Sequence, residues 1–280
     1  MMHLFNFDEQ LIPLDEWVQT FVDWLVQNYR EIFQIIKVPI ELSLNGLEWF
    51  FTVLPPWLVI LLFAAGAWRY AGKRVTIFTI LTFILIGYLG LWEDTMITLA
   101  MVVSSVFFCA LVGIPLGVLA GRSDRFEVFL RPCLDAMQTT PAFVYLVPVV
   151  MLFSIGTVSG ILATIVFALP PIIRLTSLGI RQVHPELVEA ALAFGATRWQ
   201  VLRKVQFPLA MPSIMAGLNQ TLMMALSMVV IAALIGAGGL GNPVVQGLNT
   251  LEIGLATIGG LSIVLLAMVL DRITQGFGHK

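Results

Sequence analysis

Charged residues are scarce in this sequence. Only 11% of its 280 residues are Asp, Glu, Lys or Arg, whereas 59% are hydrophobic, and the mean hydropathy is +0.94. Because soluble domains carry roughly 25% charged residues, this composition predicts an integral membrane protein. The formal net charge of -2 disfavours nucleic acid as a partner, since chains that bind it are usually basic.

Several signatures of site chemistry are also missing. The two cysteines, Cys109 and Cys133, are too few for a disulfide framework, and Cys109 lies in an apolar run that favours a buried structural thiol. No group of His or Cys residues has metal-ligand spacing, so the sequence predicts no metal site. The chain also lacks the Gly-x-x-x-x-Gly-Lys-Ser/Thr loop that cradles ATP phosphates. It therefore cannot bind the nucleotide in that way by itself.

The apolar segments lack the charges that ion-coupled transport uses. Residues 136–173 and 205–251 contain no Asp, Glu, Lys or Arg, whereas a proton-driven transporter is expected to bury at least one such group. Paired acids, His clusters and a Ser/Lys pair are also missing from these segments, which disfavours an intramembrane enzyme. Residues 236–241 match Gly-x-Gly-x-x-Gly, but they follow an apolar segment rather than a strand. We expect a turn there and not a nucleotide site.

Long apolar runs make up most of the chain. A spanning helix needs about 20 mostly apolar residues, and seven segments are candidates: residues 50–68, 75–92, 95–121, 136–154, 158–178, 208–235 and 254–271. Ahead of them, residues 14–37 interleave Trp, Phe and Leu with acids and amides, which predicts an amphipathic helix along the membrane interface. The predicted fold class is therefore an all-α membrane protein.

These segments divide the chain into three predicted regions. Residues 1–50 form an external N-terminal segment that carries the interfacial helix. Residues 51–92 form two accessory transmembrane helices. Residues 93–275 form the core transmembrane domain, which includes a polar loop at residues 181–208.

Lysine and arginine predict the orientation, because cytoplasmic loops carry an excess of both. Seven spans put 13 of the 15 basic residues on one side and only Arg30 and Lys37 on the other. The larger group comprises Arg69, Lys73, Arg74, Arg122, Arg125, Arg131, Arg174, Arg181, Arg198, Arg203, Lys204, Arg272 and Lys280. We therefore expect that side to be cytoplasmic. The N-terminus and the loop 236–253 are then external, and the C-terminus is cytoplasmic.

Small residues recur every four positions in two of the candidate spans. One stripe consists of Gly113, Gly117 and Gly121, and the other of Ser213, Gly217 and Thr221. This spacing lets the backbones of neighbouring helices approach closely. The alternative for either stripe is that it lines a pore. Pro115, which lies inside the first stripe, predicts a kink.

The polar loop before the sixth candidate span begins with a predicted short helix. Pro185 suits the first helical position, and Glu186 and Glu189 suit the first turn, where the helix dipole favours acids. An apolar stripe at helical spacing consists of Leu187, Ala190, Ala191 and Phe194. A helix of under three turns is not stable alone, so we expect this face to pack on something.

The same loop then predicts a second short helix. Gly195 is placed to end the first helix in the left-handed conformation. Thr197, with Gln200 three residues later, is typical of a capping box, and Pro208 is expected to close the unit. Two interpretations stay open for the first helix. It is either an elbow packed on the protein's own loops or a docking surface for a cytoplasmic partner.

Five residues of this loop resemble the EAA loop of bacterial ABC-transporter permease subunits. That family has Glu-Ala-Ala, three residues, Gly, nine residues and then Ile-x-Leu-Pro, which Glu189, Ala190, Ala191, Gly195 and Pro208 match. The apolar residues of the string VQFP stand where the family has Ile and Leu. The resemblance implies a coupling helix that sits in a groove of a separate ATPase subunit. The residues expected to couple are Glu186, Leu187, Glu189, Ala190, Ala191, Phe194, Gly195 and Pro208.

Longer strings resemble the permeases of glycine betaine/proline betaine uptake systems. They are LDAMQTTPAFVYLVPVVMLF, FALPPIIRLT and NQTLMMALSMVVIAALIGAGGLG, and the resemblance covers about residues 75–275. It implies the fold of a type I ABC importer permease in the bacterial inner membrane. It also implies a homodimer of permeases, two ATPase subunits that bind ATP and Mg, and an external binding protein. The chain itself then holds no cofactor.

The cargo expected from this resemblance is a zwitterion, which needs no net counter-charge along its route. The spans contain no clear aromatic cage of the kind that binds quaternary ammonium groups, so we expect the binding protein to select the solute. An autonomous channel that opens under osmotic stress is the alternative function. A channel, however, has no need of a loop that docks an ATPase.

Overall fold

The computed structural model describes residues 13–278, and within that range the chain is helical and contains no β-strand. The helices are α1 (Leu14–Val53), α2 (Pro56–Tyr70), α3 (Lys73–Tyr88), α4 (Trp92–Arg122), α5 (Asp124–Thr139), α6 (Leu146–Phe153), α7 (Thr157–Arg181), α8 (Pro185–Ala193), α9 (Arg198–Val201), α10 (Phe207–Ala233), α11 (Gly241–Thr250) and α12 (Ile253–Gly278). A 3-10 turn (Ala142–Tyr145) precedes α6, and a π-helical segment (Leu202–Gln206) joins α9 to α10. The predicted all-α class is confirmed.

By length and composition, residues 13–278 contain four to six candidate spans. Four helical runs are long and apolar enough to span a membrane alone: Trp92–Arg122, Thr157–Arg181, Arg198–Ala233 and Ile253–Phe277. Two bent pairs, α1 with α2 and α5 with α6, raise the number to six if each pair counts as one span. The predicted number of seven is therefore not confirmed. One reason is that α3 has 16 residues, which is about 24 Å against a hydrocarbon core of roughly 30 Å.

Prolines cause both bends. Leu54 precedes Pro55 with φ of -68° and ψ of 133°, and Thr140 precedes Pro141 with φ of -70° and ψ of 127°. A residue before proline is driven out of the helical region by the proline ring. The helices on either side differ in direction by 108° and 106°. The candidate spans 50–68 and 136–154 are each broken at these points.

The first helix is longer than the predicted amphipathic segment. It extends over 40 residues, continues through Pro39 and bends at Tyr29, where φ is -122° and ψ is 18°. Before the bend, side chains such as Trp17 are exposed, whereas Ile40 and Leu44 beyond it are buried in the core. Ile35 and Trp49, also beyond the bend, are exposed, so both parts of α1 keep apolar side chains without a partner in the described chain, and only the second part also packs into the core. The position of the first part at the membrane interface stays a prediction.

The centre of the bundle is α7, which packs between α4 and α10. The glycine stripe of α4 lies against it, since a Cβ on Gly117 would be 2.5 Å from Thr176 Cβ. The stripe of α10 also faces it, and the Thr221 hydroxyl donates to the Ala168 carbonyl at 3.1 Å. Both small-residue stripes therefore serve close helix packing rather than pore lining. The helix α4 continues through Pro115 without a break.

Contacts between distant segments define the two ends of the bundle. At one end, the ring of Tyr70 stacks on Phe277 with centroids 3.8 Å apart, and the start of α5 lies beside the end of α7. At the other end, the Leu240 amide donates to a threonine hydroxyl of α4 at 2.8 Å. The basic residues predicted to share one side lie in elements at or near the first end, except Lys280, which is outside the described residues. The side of the membrane that this end faces stays a prediction.

The glycine-rich segment 236–241 forms a turn between α10 and α11, as expected. Gly236, Gly238 and Gly239 have φ of 74°, 84° and 71°, in the left-handed region that glycine adopts without penalty. A Cβ on Gly239 would lie 2.5 Å from Thr98 Oγ1, so the turn packs closely on the start of α4. It follows a helix and not a strand, so its Gly-x-Gly-x-x-Gly pattern lacks the context of a dinucleotide site.

Candidate functional site

The polar loop singled out by the sequence forms a short exposed helix, α8, after the end of α7. Pro185 occupies its first position, as predicted, and the Leu187 amide donates to the His184 carbonyl at 3.1 Å. Glu186 lies in the first turn, where the amide groups at a helix start favour a carboxylate. Glu189 lies one turn later and is also exposed.

The end of α8 is a Schellman motif at Gly195. Its φ of 82° confirms the predicted left-handed conformation. The Gly195 amide donates to the Leu192 carbonyl at 2.9 Å, and the Ala196 amide donates to the Ala191 carbonyl at 3.1 Å, which is the bond pair of this motif. No atom lies within 4 Å of the place that a Cβ on Gly195 would occupy. Glycine is therefore favoured by the backbone conformation and not by lack of space.

The predicted capping box at the start of α9 is confirmed. The Thr197 amide donates to Gln200 Oε1 at 2.7 Å, and the Gln200 amide donates to Thr197 Oγ1 at 3.3 Å. These reciprocal bonds satisfy donors that a helix start otherwise leaves unpaired. Together with the Schellman motif, they fix the backbone between α8 and α9 through local hydrogen bonds.

Pro208 does not close the unit, and that part of the prediction is wrong. It lies in the first turn of α10, inside a continuous 36-residue run, Arg198–Ala233. The Phe207 amide donates to the Leu202 carbonyl, five residues back. A proline lacks an amide hydrogen and crowds the carbonyl four residues before it, so the wider π-helical turn accommodates Pro208. The polar loop therefore ends before α9.

The predicted contact face of α8 does not pack against the described part of this chain. Leu187 is 45% exposed and Phe194 is 93% exposed, while Ala190 is exposed and Ala191 half-buried. The other side of α8 faces the bundle, where Val188 lines a cavity together with the end of α4. A large aromatic side chain left almost fully exposed favours a docking surface over an internal elbow. The predicted residues of α8 and its cap thus lie together, whereas Pro208 belongs to the first turn of α10.

An ionic contact beside α8 was not predicted. Arg181 is the last residue of α7, and its Nη1 lies 2.6 Å from Asp124 Oδ1, while its Nη2 lies 2.8 Å from Glu127 Oε2. The same Nη2 donates to the Ala120 carbonyl at 2.7 Å. One side chain thus connects the ends of α4 and α7 with the start of α5. The sequence signal was the pair of acids, Asp124 and Glu127, three residues apart. Such a pair does not show which basic residue it contacts.

A family of transport proteins matches more than half of the chain. The family is described as "binding-protein-dependent transport system inner membrane component", and the match covers residues 113–280. This range starts inside α4 and includes α7, α8 and α10. It therefore contains the central packing of the bundle and the exposed loop.

Three curated relatives match nearly the whole chain. The glycine betaine/proline betaine transport system permease protein ProW of Escherichia coli (strain K12) is 53% identical over 273 residues, which are 98% of this chain and 77% of the relative. The glycine betaine transport system permease protein OpuAB of Bacillus subtilis (strain 168) is 44% identical over 269 residues, 96% of this chain and 95% of the relative. The glycine betaine/carnitine transport permease protein GbuB of Listeria monocytogenes serotype 1/2a (strain 10403S) is 44% identical over 273 residues, 96% of each.

Solved structures show the same fold. A chain of the MetNI methionine ABC transporter in an inward-facing conformation superposes with a TM-score of 0.55 and 29% identity, over 65% of this chain and 89% of that chain. A second crystal form gives a TM-score of 0.56. The sequence match and the fold match agree. The chain belongs to the family of binding-protein-dependent transport system inner membrane components, and it has the fold of a type I ABC importer permease.

Proposed function

We propose that this chain is the membrane-spanning permease of an ATP-driven importer that carries glycine betaine or proline betaine into the cell. The observation that carries the proposal is the exposed helix α8, which presents Leu187 and Phe194 away from the bundle. The family works in transport systems that depend on a binding protein, and the relatives above carry glycine betaine in their names. A bundle that moved solute without an energy source would have no use for such a helix.

The proposed importer contains two copies of this chain, two ATPase subunits and an external binding protein. ATP and Mg belong to the ATPase subunits, because the chain has no Gly-x-x-x-x-Gly-Lys-Ser/Thr loop to hold the phosphates. The end of the bundle that carries α8 faces the cytoplasm, since the basic residues gather there. The C-terminus is then cytoplasmic, since Phe277 lies at this end, and the N-terminus is external, since Phe33 of α1 packs on Phe153 at the opposite end.

The helix α8 couples the permease to ATP hydrolysis by inserting its exposed face into a groove of the ATPase. Phe194 is the anchor, because an aromatic side chain buries roughly 150–250 Å² and such anchors dominate the energy of interfaces. Gly195 and the capping box at Thr197 hold α8 at a set angle to α9. A displacement of the groove therefore moves the continuous run Arg198–Ala233 and, through it, the bundle.

Reconstitution in vesicles tests the proposal. Vesicles that enclose ATP receive the permease and its ATPase, with the binding protein and labelled glycine betaine outside. Uptake should require ATP, ATPase and binding protein together. Solute flux that needs no ATP and follows an osmotic shock would refute the importer and support the channel.

The contribution of α8 is measured with a matched pair of variants. Phe194→Ala should lower both ATPase co-purification and uptake by about tenfold or more, as truncation of an interface anchor does. Phe107→Ala is the control, because Phe107 is also more than half exposed, at 55%, but lies on the outer surface of α4. That variant should bind the ATPase at the wild-type level. Equal losses in both variants would contradict a specific role of α8.

A further inference from the structure

The exposed surfaces of the spanning helices differ in polarity. Between residues 96 and 121 of α4, and between 258 and 270 of α12, every exposed residue is apolar, as expected for helices in contact with lipid. The helix α10 differs, because its exposed stripe contains an amide and a hydroxyl. This stripe consists of Ala216, Gln220, Ser227 and Leu234, which lie within about 40° of one another around the helix.

Gln220 lies level with the middle of α7. The next residue, Thr221, donates its hydroxyl to the carbonyl of Ala168 at 3.1 Å, and Ala168 is midway along α7. Phe167, the residue before Ala168, has its ring 6.3 Å from the ring of Tyr145. Tyr145 belongs to the short turn between α5 and α6. That turn also contacts α10. The amide of Gln220 thus lies level with the middle of α7, and about two helical turns from Phe277 at the first end, because the neighbouring Asn219 bonds Asp271 of α12.

The polar neighbours of Gln220 are paired, whereas Gln220 makes no hydrogen bond within residues 13–278. Asn219 faces α12, and its Nδ2 donates to Asp271 Oδ1 at 2.9 Å. The Ser227 hydroxyl donates to the Met223 carbonyl at 2.9 Å, which leaves its lone pairs open. An unpaired amide surrounded by hydrocarbon is costly. The stripe on α10 therefore suits a surface that faces water or a polar solute.

We infer that Gln220 lines the water-filled route of the transported solute and donates its amide hydrogens to the carboxylate of a betaine. The inference rests on the proposed function, which supplies a zwitterion with one carboxylate and one trimethylammonium group. Met223 and Met224, half-buried beside Gln220, offer soft thioethers to the methyl groups. Phe143, 57% exposed in the turn that contacts α10, offers an aromatic ring, which attracts such cations. Gln220 is then a specificity-determining residue for the carboxylate.

Thiol modification separates a water-filled route from a surface covered by lipid. The assembled transporter carrying Gln220→Cys is treated in vesicles, during ATP turnover, with a trimethylammonium methanethiosulfonate. The product is read by mass spectrometry of the peptide, so the result does not depend on transport. Met268→Cys is the matched control, because Met268 lies on the apolar exposed surface of α12.

The Gln220→Cys variant should react roughly tenfold or more faster than Met268→Cys, because the reactive thiolate forms only where water reaches it. Excess glycine betaine with binding protein should slow the reaction of Gln220→Cys and leave that of Met268→Cys unchanged. Equally slow reactions in both variants would overturn the inference, since position 220 would then be covered by lipid or protein.

The donor role of Gln220 needs a second measurement. Gln220→Met removes the amide at nearly constant side-chain length, and the initial rate of glycine betaine uptake should fall about tenfold, as expected for the loss of a hydrogen bond to a charged group. Gln220→Asn keeps an amide and should retain more uptake than Gln220→Met. ATPase co-purification should stay at the wild-type level in both, because α8 is untouched. Unchanged uptake in Gln220→Met would overturn the donor role.

Failure of this inference is distinguishable from failure of the proposed function. If the unaltered transporter shows no ATP-dependent uptake of glycine betaine, the proposed function is refuted, whatever the thiol result. If that uptake is present and Gln220→Cys reacts no faster than Met268→Cys, only the assignment of Gln220 is refuted.

Discussion

Gly195 allows a sharp test of coupling, because its requirement for glycine is conformational. Its φ is 82°, and a Cβ there would meet no atom of the described chain within 4 Å. Residues with a side chain disfavour this region by roughly 1–2 kcal/mol, and β-branched residues by more. Gly195→Val should therefore destabilise the end of α8 by about 2 kcal/mol. Because α8 is exposed, its last turn should distort while the spans remain folded and inserted.

A graded series of variants measures this effect. Asn tolerates the left-handed conformation better than other residues with a side chain. The loss of ATPase binding should therefore be smallest in Gly195→Asn, larger in Gly195→Ala and largest in Gly195→Val. A loss of one or two kcal/mol corresponds to a factor of about 5 to 30 in an equilibrium. ATPase co-purification should therefore fall by up to about 30-fold in Gly195→Val. Solute-stimulated ATP turnover in vesicles should fall in the same order.

The turn between α2 and α3 provides the matched control. Gly72 has φ of 87° and equally open space around its Cβ position, and it lies at the same end of the bundle as α8. Gly72→Val should strain the backbone to a similar degree and leave ATPase binding unchanged. Wild-type ATPase binding by Gly195→Val would refute the coupling role of this loop. If Gly195→Asn lost as much ATPase binding as Gly195→Val, the loss would be caused by side-chain bulk in the groove of the ATPase and not by the value of φ at position 195.

Three further predictions follow from particular contacts. Arg181→Lys keeps the charge but loses the forked contacts with Asp124 and Glu127. The melting temperature should fall by an amount equivalent to roughly 1 kcal/mol or less per exposed ion pair. In about 1 M salt, where charges are strongly screened, the difference in melting temperature from the wild type should become smaller. Replacing Cys133, which is exposed, and Cys109, which is buried, by Ala should leave uptake intact and cost roughly 1 kcal/mol of stability for the buried one; lost uptake with normal expression would contradict this. In intact cells, an impermeant thiol reagent should label Thr250→Cys and not Ser123→Cys, and the reverse pattern would invert the proposed orientation.

The shape of the coupling loop could be predicted because its causes are local. Pro185 at a helix start, Gly195 at a helix end and the Thr197–Gln200 pair each act on hydrogen bonds within a few residues. Such bonds do not depend on the rest of the fold. The predicted start, end and cap are therefore all found in place.

The number of spans could not be predicted by the same means. The average hydropathy of a segment does not show whether the segment bends. The breaks at Leu54 and Thr140 depend on the proline that follows each residue. Proline is also a poor guide by its presence alone, since α1 continues through Pro39 and α4 through Pro115.

Contacts between residues far apart in the sequence could not be predicted either. Arg181 and Asp124 are 57 positions apart, and nothing within either segment selects the other. The exposure of Gln220 depends in the same way on which faces of α10 are covered by α7 and α12. Sequence periodicity identifies a stripe, but only the packed structure shows which stripes have a partner.

The continuous run Arg198–Ala233 connects the two proposed sites mechanically. Gln220 lies 22 residues after Arg198, which is about 33 Å along a helix, and no loop interrupts the run between them. Under the proposed coupling, a displacement of α8 by the ATPase would reach Gln220 through this continuous run. The π-helical segment Leu202–Gln206 is where its hydrogen bonding departs from the α-helical pattern, and such segments occur often at functional sites. Closing that segment to α-helical spacing would rotate and shift the rest of α10, and with it the exposed stripe that carries Gln220.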